Sequence, residues 1–140
     1  MQEFLKGFLS IISTTLIFLF GGWDIALQSL IAVVILDYLT GLIKSYVKCS
    51  LNSSIGFRGI FKKLCIFIMV AIAVVIDNLT VKNGVIRSLI IYYLVANEGL
   101  SIIENLGEMN IIVPNFLKER LEQLKRGNKG DEKWDIQLII

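Results

Sequence analysis

The sequence predicts an all-α integral membrane protein with about four transmembrane helices and an amphipathic helix towards the C-terminus. Three observations carry that prediction. Of the 140 residues, 55% are hydrophobic and the mean hydropathy is +0.71, well above that of a soluble domain. The apolar residues fall into continuous runs, at about 4–20, 25–43, 60–76 and 85–103, each close to the ~17 to 25 residues that carry a helix across ~30 Å of hydrocarbon. Cations are sorted between the runs: Lys44, Lys48, Arg58, Lys62 and Lys63 stand between the second and third with no acidic residue among them. Continuous runs rather than alternating ones exclude a membrane β-barrel.

The first run contains Lys6, Ser10, Ser13, Thr14 and Thr15. Lys6 followed by an apolar stretch has the layout of a signal peptide, but no A-x-A site follows. A first span or signal anchor fits better. An interfacial helix is the other reading, and it would move the N-terminus to the opposite side. Gly21, Gly22, Trp23 and Asp24 make a short connection with Trp23 at interface depth. In the second run, Ala26, Ser29, Val33, Asp37, Thr40, Gly41 and Lys44 share one face at i+3 and i+4 steps. Small residues there allow close helix approach, with Asp37 hydrogen-bonded across the contact. Two readings of Asp37 stand: a packing or pore residue, or an interfacial carboxylate reaching water or Lys44.

The third run ends at Asp77 and is joined to the fourth by another short connection at 78–84. In the fourth, Asn97, Glu98, Ser101, Glu104, Asn105 and Glu108 occupy a sector of about 120° at ~100° per residue. Arg87 lies on the same side three turns earlier, too far along the helix to reach Glu98, and Asp77 is its nearer candidate partner. The stripe lines an aqueous path, or buries against other helices, or lies in the cytoplasmic interface with only 85–96 deeply embedded. After Pro114, Phe116, Leu117, Leu121 and Leu124 recur at helical spacing among basic and acidic residues, with Pro114 starting that helix and Gly127 ending it. Residues 127–135 read as a polar, mobile tail, and 136–140 as an apolar end with no derived role.

Positive loops stay cytoplasmic. The cationic loop therefore predicts both termini inside, Lys6 with the N-terminus and Lys118, Arg120, Lys125 and Arg126 with the C-terminus, leaving Lys82 and Arg87 near the outer face. A transmembrane domain is expected over 1–113 and a cytoplasmic basic helix and tail over 114–140. Lys44, Lys48, Arg58, Lys62 and Lys63 are candidates for topology and for contact with lipid headgroups.

There is no histidine, which removes the commonest general base and metal ligand. Cys49 and Cys65, in or beside the cytoplasmic loop, read as free thiols. Glu98 and Glu104 lie two turns apart with no nucleophile or basic partner, so neither a catalytic residue nor an enzyme is expected. No cofactor or metal site and no nucleic-acid partner are expected. Asn52, Ser53, Ser54, Gly56 and Gly59 read as a flexible loop, since the phosphate-cradling G-x-x-x-x-G-K-[ST] pattern is absent.

Taken together, Asp37-x-x-Thr40-Gly41, Leu51-Asn52-Ser53-Ser54, Gly56-Phe57-Arg58-Gly59-Ile60-x-Lys62-Lys63, Asn97-Glu98-Gly99-Leu100-Ser101-Ile102-x-Glu104-Asn105 and Pro114 before a basic helix resemble the toxin-secretion/phage-lysis holin family. The likeness covers about 25–126, and the block from Asn97 to Asn105 is its specific part. Asn110 to Val113 departs from the family's approach to the proline. The resemblance implies a small protein of the host cytoplasmic membrane that associates with itself in the bilayer and opens large lesions. Through these an endolysin or a toxin leaves as cargo, without catalysis or cofactor. Asp37, Thr40, Gly41, Arg87, Asn97, Glu98, Ser101, Glu104 and Asn105 are the candidate assembly or pore-lining residues. A small oligomeric ion channel or transporter, and a membrane scaffold that permeabilises nothing, are the competing readings.

Overall fold

The computed structural model describes residues 1–80 and 83–126. Among these residues five helices follow in order: α1 (Gln2–Leu19), α2 (Ile25–Val47), α3 (Ser53–Thr80), α4 (Val85–Glu108) and α5 (Asn115–Arg126). The first four are long and apolar enough to cross a membrane, and the chain is a multi-pass membrane protein.

Each boundary has a local cause. α1 ends at Gly21 and Gly22, both at positive φ, where the Gly22 amide donates to the Ile17 carbonyl at 2.9 Å. A side chain at Gly21 would also meet Cδ of Arg87 at 2.9 Å. The Asp24 carboxylate accepts from the Leu27 amide at 3.0 Å and so caps α2. α2 closes with Cys49 in the left-handed region and the Ser50 amide returning to the Ser45 carbonyl. α4 ends the same way, with Asn110 left-handed and the Ile111 amide on the Leu106 carbonyl. Both turns use a non-glycine residue where glycine is usual, which is why composition alone does not reveal them.

The apolar runs of the sequence reappear as helices, but longer. The expectation of a flexible loop at Asn52, Ser53, Ser54, Gly56 and Gly59 is corrected: the Asn52 side chain accepts from the Ser54 amide at 3.1 Å, and the chain from Ser53 onward is already α3. Arg58, Lys62 and Lys63 therefore sit on a helix rather than in a loop. The glycines there serve packing, since Tyr38 of α2 lies 3.6 Å from a Cβ placed at Gly56 and 3.3 Å from one at Gly59. The fourth run likewise continues past 103 to Glu108. Pro114 precedes α5 as expected. Lys82, the stop at Gly127, the tail at 127–135 and the apolar end at 136–140 lie outside the described residues.

α2 and α4 form the main packed pair, α3 closes on α4, and α5 folds back along α4. Leu30, Val34, Val70, Ile91 and Leu94 make the core, with Phe20 and Phe67 packed against it edge to face at 6.0 Å. α1 contributes no buried residue. Its Ser13, Thr14 and Thr15 hydroxyls donate to their own helix's carbonyls at Leu9, Ser10 and Ile11, so these three hydroxyls are satisfied within the helix.

Candidate functional site

Two polar clusters bracket the core of the α2–α3–α4 bundle. Along α4 the inward positions are Arg87, Ile91, Leu94, Glu98 and Asn105, all buried, in steps of three, four or seven that keep one face turned to α2 and α3. Charged or polar residues hold its two ends, and leucine and isoleucine fill the middle.

At one end, Lys63 of α3 donates from Nζ to both Asp37 Oδ2 of α2 and Glu98 Oε2 of α4. Asn105 Nδ2 donates at 3.2 Å to Asp37 Oδ1 and at 3.2 Å to Thr40 Oγ1. Thr40 in turn donates to the Asp37 carbonyl at 3.0 Å. Asp37 is 6% exposed and Glu98 4%. Carboxylates that deep are tolerable only when paired, and one ammonium serves two of them, so three helices are fixed by one cation. A cavity of about 280 Å³ adjoins the cluster, between Asp37, Gly41, Ser101 and Asn105 on one side and Gly56 and Gly59 on the other.

At the other end Arg87 is 6% exposed and every donor it uses is matched. Nη1 and Nη2 hold the two oxygens of Asp24 at 2.8 and 3.1 Å, Nε donates to the Phe20 carbonyl at 2.6 Å, and Nη2 also reaches the Gly22 carbonyl at 3.2 Å. The guanidinium beside Asp24 holds its carboxyl down at about 2, below the ordinary carboxylate range. Asp77 accepts from the Ile86 and Arg87 amides at 3.0 and 2.7 Å, capping α4 from the neighbouring helix.

The residues singled out in the sequence separate here into several environments. Asp37, Thr40, Glu98 and Asn105 converge on Lys63, with Gly41 beside Asn105 and Ser101 at the cavity wall. Arg87 belongs to the distant cluster. Asn97 faces α5, accepting from Lys125 Nζ at 3.0 Å. Glu104 is exposed. Lys44 pairs not with Asp37 but with Glu108 at 3.4 Å, which Lys48 also reaches at 2.6 Å. Arg58 and Lys62 remain exposed. Asp77 meets the Arg87 backbone rather than its guanidinium. Sequence reasoning missed Asp24 as the guanidinium's partner and Lys63 as the hub. The available signal for Asp24 was an acidic residue at a capping position just before a span; for Lys63, the presence of two otherwise unpaired intramembrane carboxylates.

The sequence profile of the bacteriophage holin family matches residues 14–126, which include every member of both clusters. The chain belongs to the bacteriophage holin family. Among its relatives is an uncharacterised protein of Clostridium perfringens, 40% identical over 84% of this chain and 87% of the relative. A 14.9 kDa protein from the nagH 3′ region of the same species is 43% identical over 81% and 86%. The probable holin of Bacillus phage phi105 is 32% identical over 79% of this chain and 82% of that protein. No solved structure matches significantly. Membership of a holin family points to a non-enzymatic membrane protein, and the clusters agree with structural work by charge. Their ionised groups satisfy one another across helices.

Proposed function

We propose that the chain is a holin: it associates with itself in the cytoplasmic membrane, with both termini inside, and opens lesions large enough to release an endolysin or a toxin. Family membership and the likeness to a probable holin support the reading. The structural observation that carries it is the ionic cluster of Asp37, Lys63, Glu98 and Asn105, held inside helices whose outward surface is largely apolar. A subunit of this kind has two acceptable environments for one set of charges. Turned inward they are paired by the chain itself; turned to a water-filled lumen they are hydrated.

The step between the two is cooperative, because a lumen hydrates the faces of all surrounding subunits together. A collapse of membrane potential would bias it, at ~2.3 kcal/mol per elementary charge per 100 mV for a charge crossing the whole field. Inducible expression in a bacterial host tests the function. The expected outcome is abrupt growth arrest with release of a cytosolic reporter enzyme. Ion leak alone would identify a small channel instead, and neither effect would identify a scaffold.

A further inference from the structure

We infer that the face formed by α4 and α5 is the water-facing wall of the assembled lesion, with α5 docked along α4 at membrane depth. The inference rests on the lesion-forming reading above and gives the lumen an exposed charged wall in addition to the buried cluster that opening would hydrate.

The argument is one of depth. Leu121 of α5 seats on Gly99 of α4, where an added Cβ would lie 2.9 Å from the leucine side chain. Lys125 Nζ lies 3.0 Å from Asn97 Oδ1 and 5.6 Å from the centre of the Tyr93 ring. At ~1.5 Å per residue, Tyr93 and Asn97 are roughly 12 and 18 Å along α4 from Val85. With Val85 at one edge of ~30 Å of hydrocarbon, Lys125 is at about the midplane. Lys118, Glu119, Arg120 and Arg126 of α5 are exposed, and Arg120 and Arg126 line a cavity with Leu89 and Tyr92 of α4, deeper still from the Glu108 end. Acyl chains cannot border such a surface. Water can. The exposed sides of α2 and α3 suit lipid: Leu36, Leu39 and Ile43 on α2, and Leu64, Ile68 and Ile72 on α3, are exposed and apolar. Charges gathered on α5, among the exposed Phe116, Leu117 and Leu124, with apolar exposed sides on α2 and α3, are the distribution that a subunit between lumen and bilayer requires.

The test uses the full chain with Cys49→Ser and Cys65→Ser, both cysteines being exposed and free, in phosphatidylethanolamine/phosphatidylglycerol liposomes that report lesions by dextran release. Spin labels on Val85→Cys and Arg126→Cys measure docking: a docked α5 keeps them within ~20 Å, whereas a released one places them beyond ~35 Å, the length of α4. A single label on Glu119→Cys, compared with one on Ile72→Cys, reports the surroundings. In dextran-releasing liposomes the expected result is the short distance, with the Glu119 label severalfold more accessible to a water-soluble nickel complex than the Ile72 label. A long distance, or a short one with the Glu119 label shielded from nickel, overturns the assignment while release leaves the lesion reading standing. Absence of release overturns the lesion reading, and this inference with it.

Discussion

At the scale of single residues, Lys63 is the position on which most depends, because Asp37 and Glu98 share its ammonium. Lys63→Met leaves both carboxylates without their cation. The expected loss of stability is on the order of 3 kcal/mol, towards the low end for breaking a buried pair, since the Lys63 side chain is 20% exposed. Thermal unfolding in detergent measures it, and adding Asp37→Asn and Glu98→Gln should recover much of the loss by removing the stranded charges. Glu98 and Glu104 separate by the same logic. Glu98→Gln weakens the hub and should shift the onset of lysis, whereas Glu104→Gln changes an exposed group and should leave the timing as it is; equal effects would deny the cluster a part in opening. At the other end, Arg87 holds the folded-state carboxyl of Asp24 at about 2. A lowered folded value stabilises above the ordinary carboxylate range of about 4 and is lost as the pH falls through the folded value. Between about pH 4 and pH 2 the wild type should therefore lose stability more steeply than Asp24→Asn, as read by unfolding midpoints across that window.

At the scale of elements, the contact between α4 and α5 turns on a residue with no side chain. Gly99→Leu has no room beside Leu121 and should lift α5 from α4, with faster tryptic cleavage after Lys118 and Arg120. Leu121→Ala in the same chain makes space and should slow cleavage again. Spans and the proline-led helix were legible because hydrocarbon thickness demands long apolar runs and proline marks a helix start. The beginning of α3 was not, since Asn52, Ser53, Gly56 and Gly59 are turn formers by composition, and their use here, as a cap and as space for Tyr38, depends on another helix. The polar stripe of α4 was visible as a stripe. Its division into Glu98 and Asn105 facing the bundle, Asn97 facing α5 and Glu104 facing outward depends on where the neighbours pack, which periodicity alone does not specify. Lys63 was read with the cations of a positive loop because its partners are 26 and 35 residues away.

For the whole molecule, the distribution of burial predicts a hierarchy of stability. The α2–α3–α4 bundle has an apolar core and a polar cluster at each end, so opening it must break several helices' contacts together. α1 has none of this: no residue of it is buried, and Leu5, Phe8, Leu9, Ile11, Leu16 and Phe18 are all exposed. Beside it lies an open, mainly apolar cavity of about 340 Å³, walled by Leu16, Ile17, Trp23, Leu27, Ile31 and Phe67. Local opening follows the buried contacts an element makes, so hydrogen–deuterium exchange in detergent should be orders of magnitude faster in α1 than around Leu30 to Val34 or Ile91 to Leu94. In liposomes the same measurement separates two uses of α1. An α1 that meets only lipid keeps one exchange rate whatever the protein-to-lipid ratio. An α1 that packs against other copies becomes more protected as the ratio rises, and self-association of subunits whose own fold leaves this helix uncovered requires the second result. Exchange in detergent as slow in α1 as in α2 would contradict the hierarchy itself, because it would mean that α1 is held by contacts within the chain.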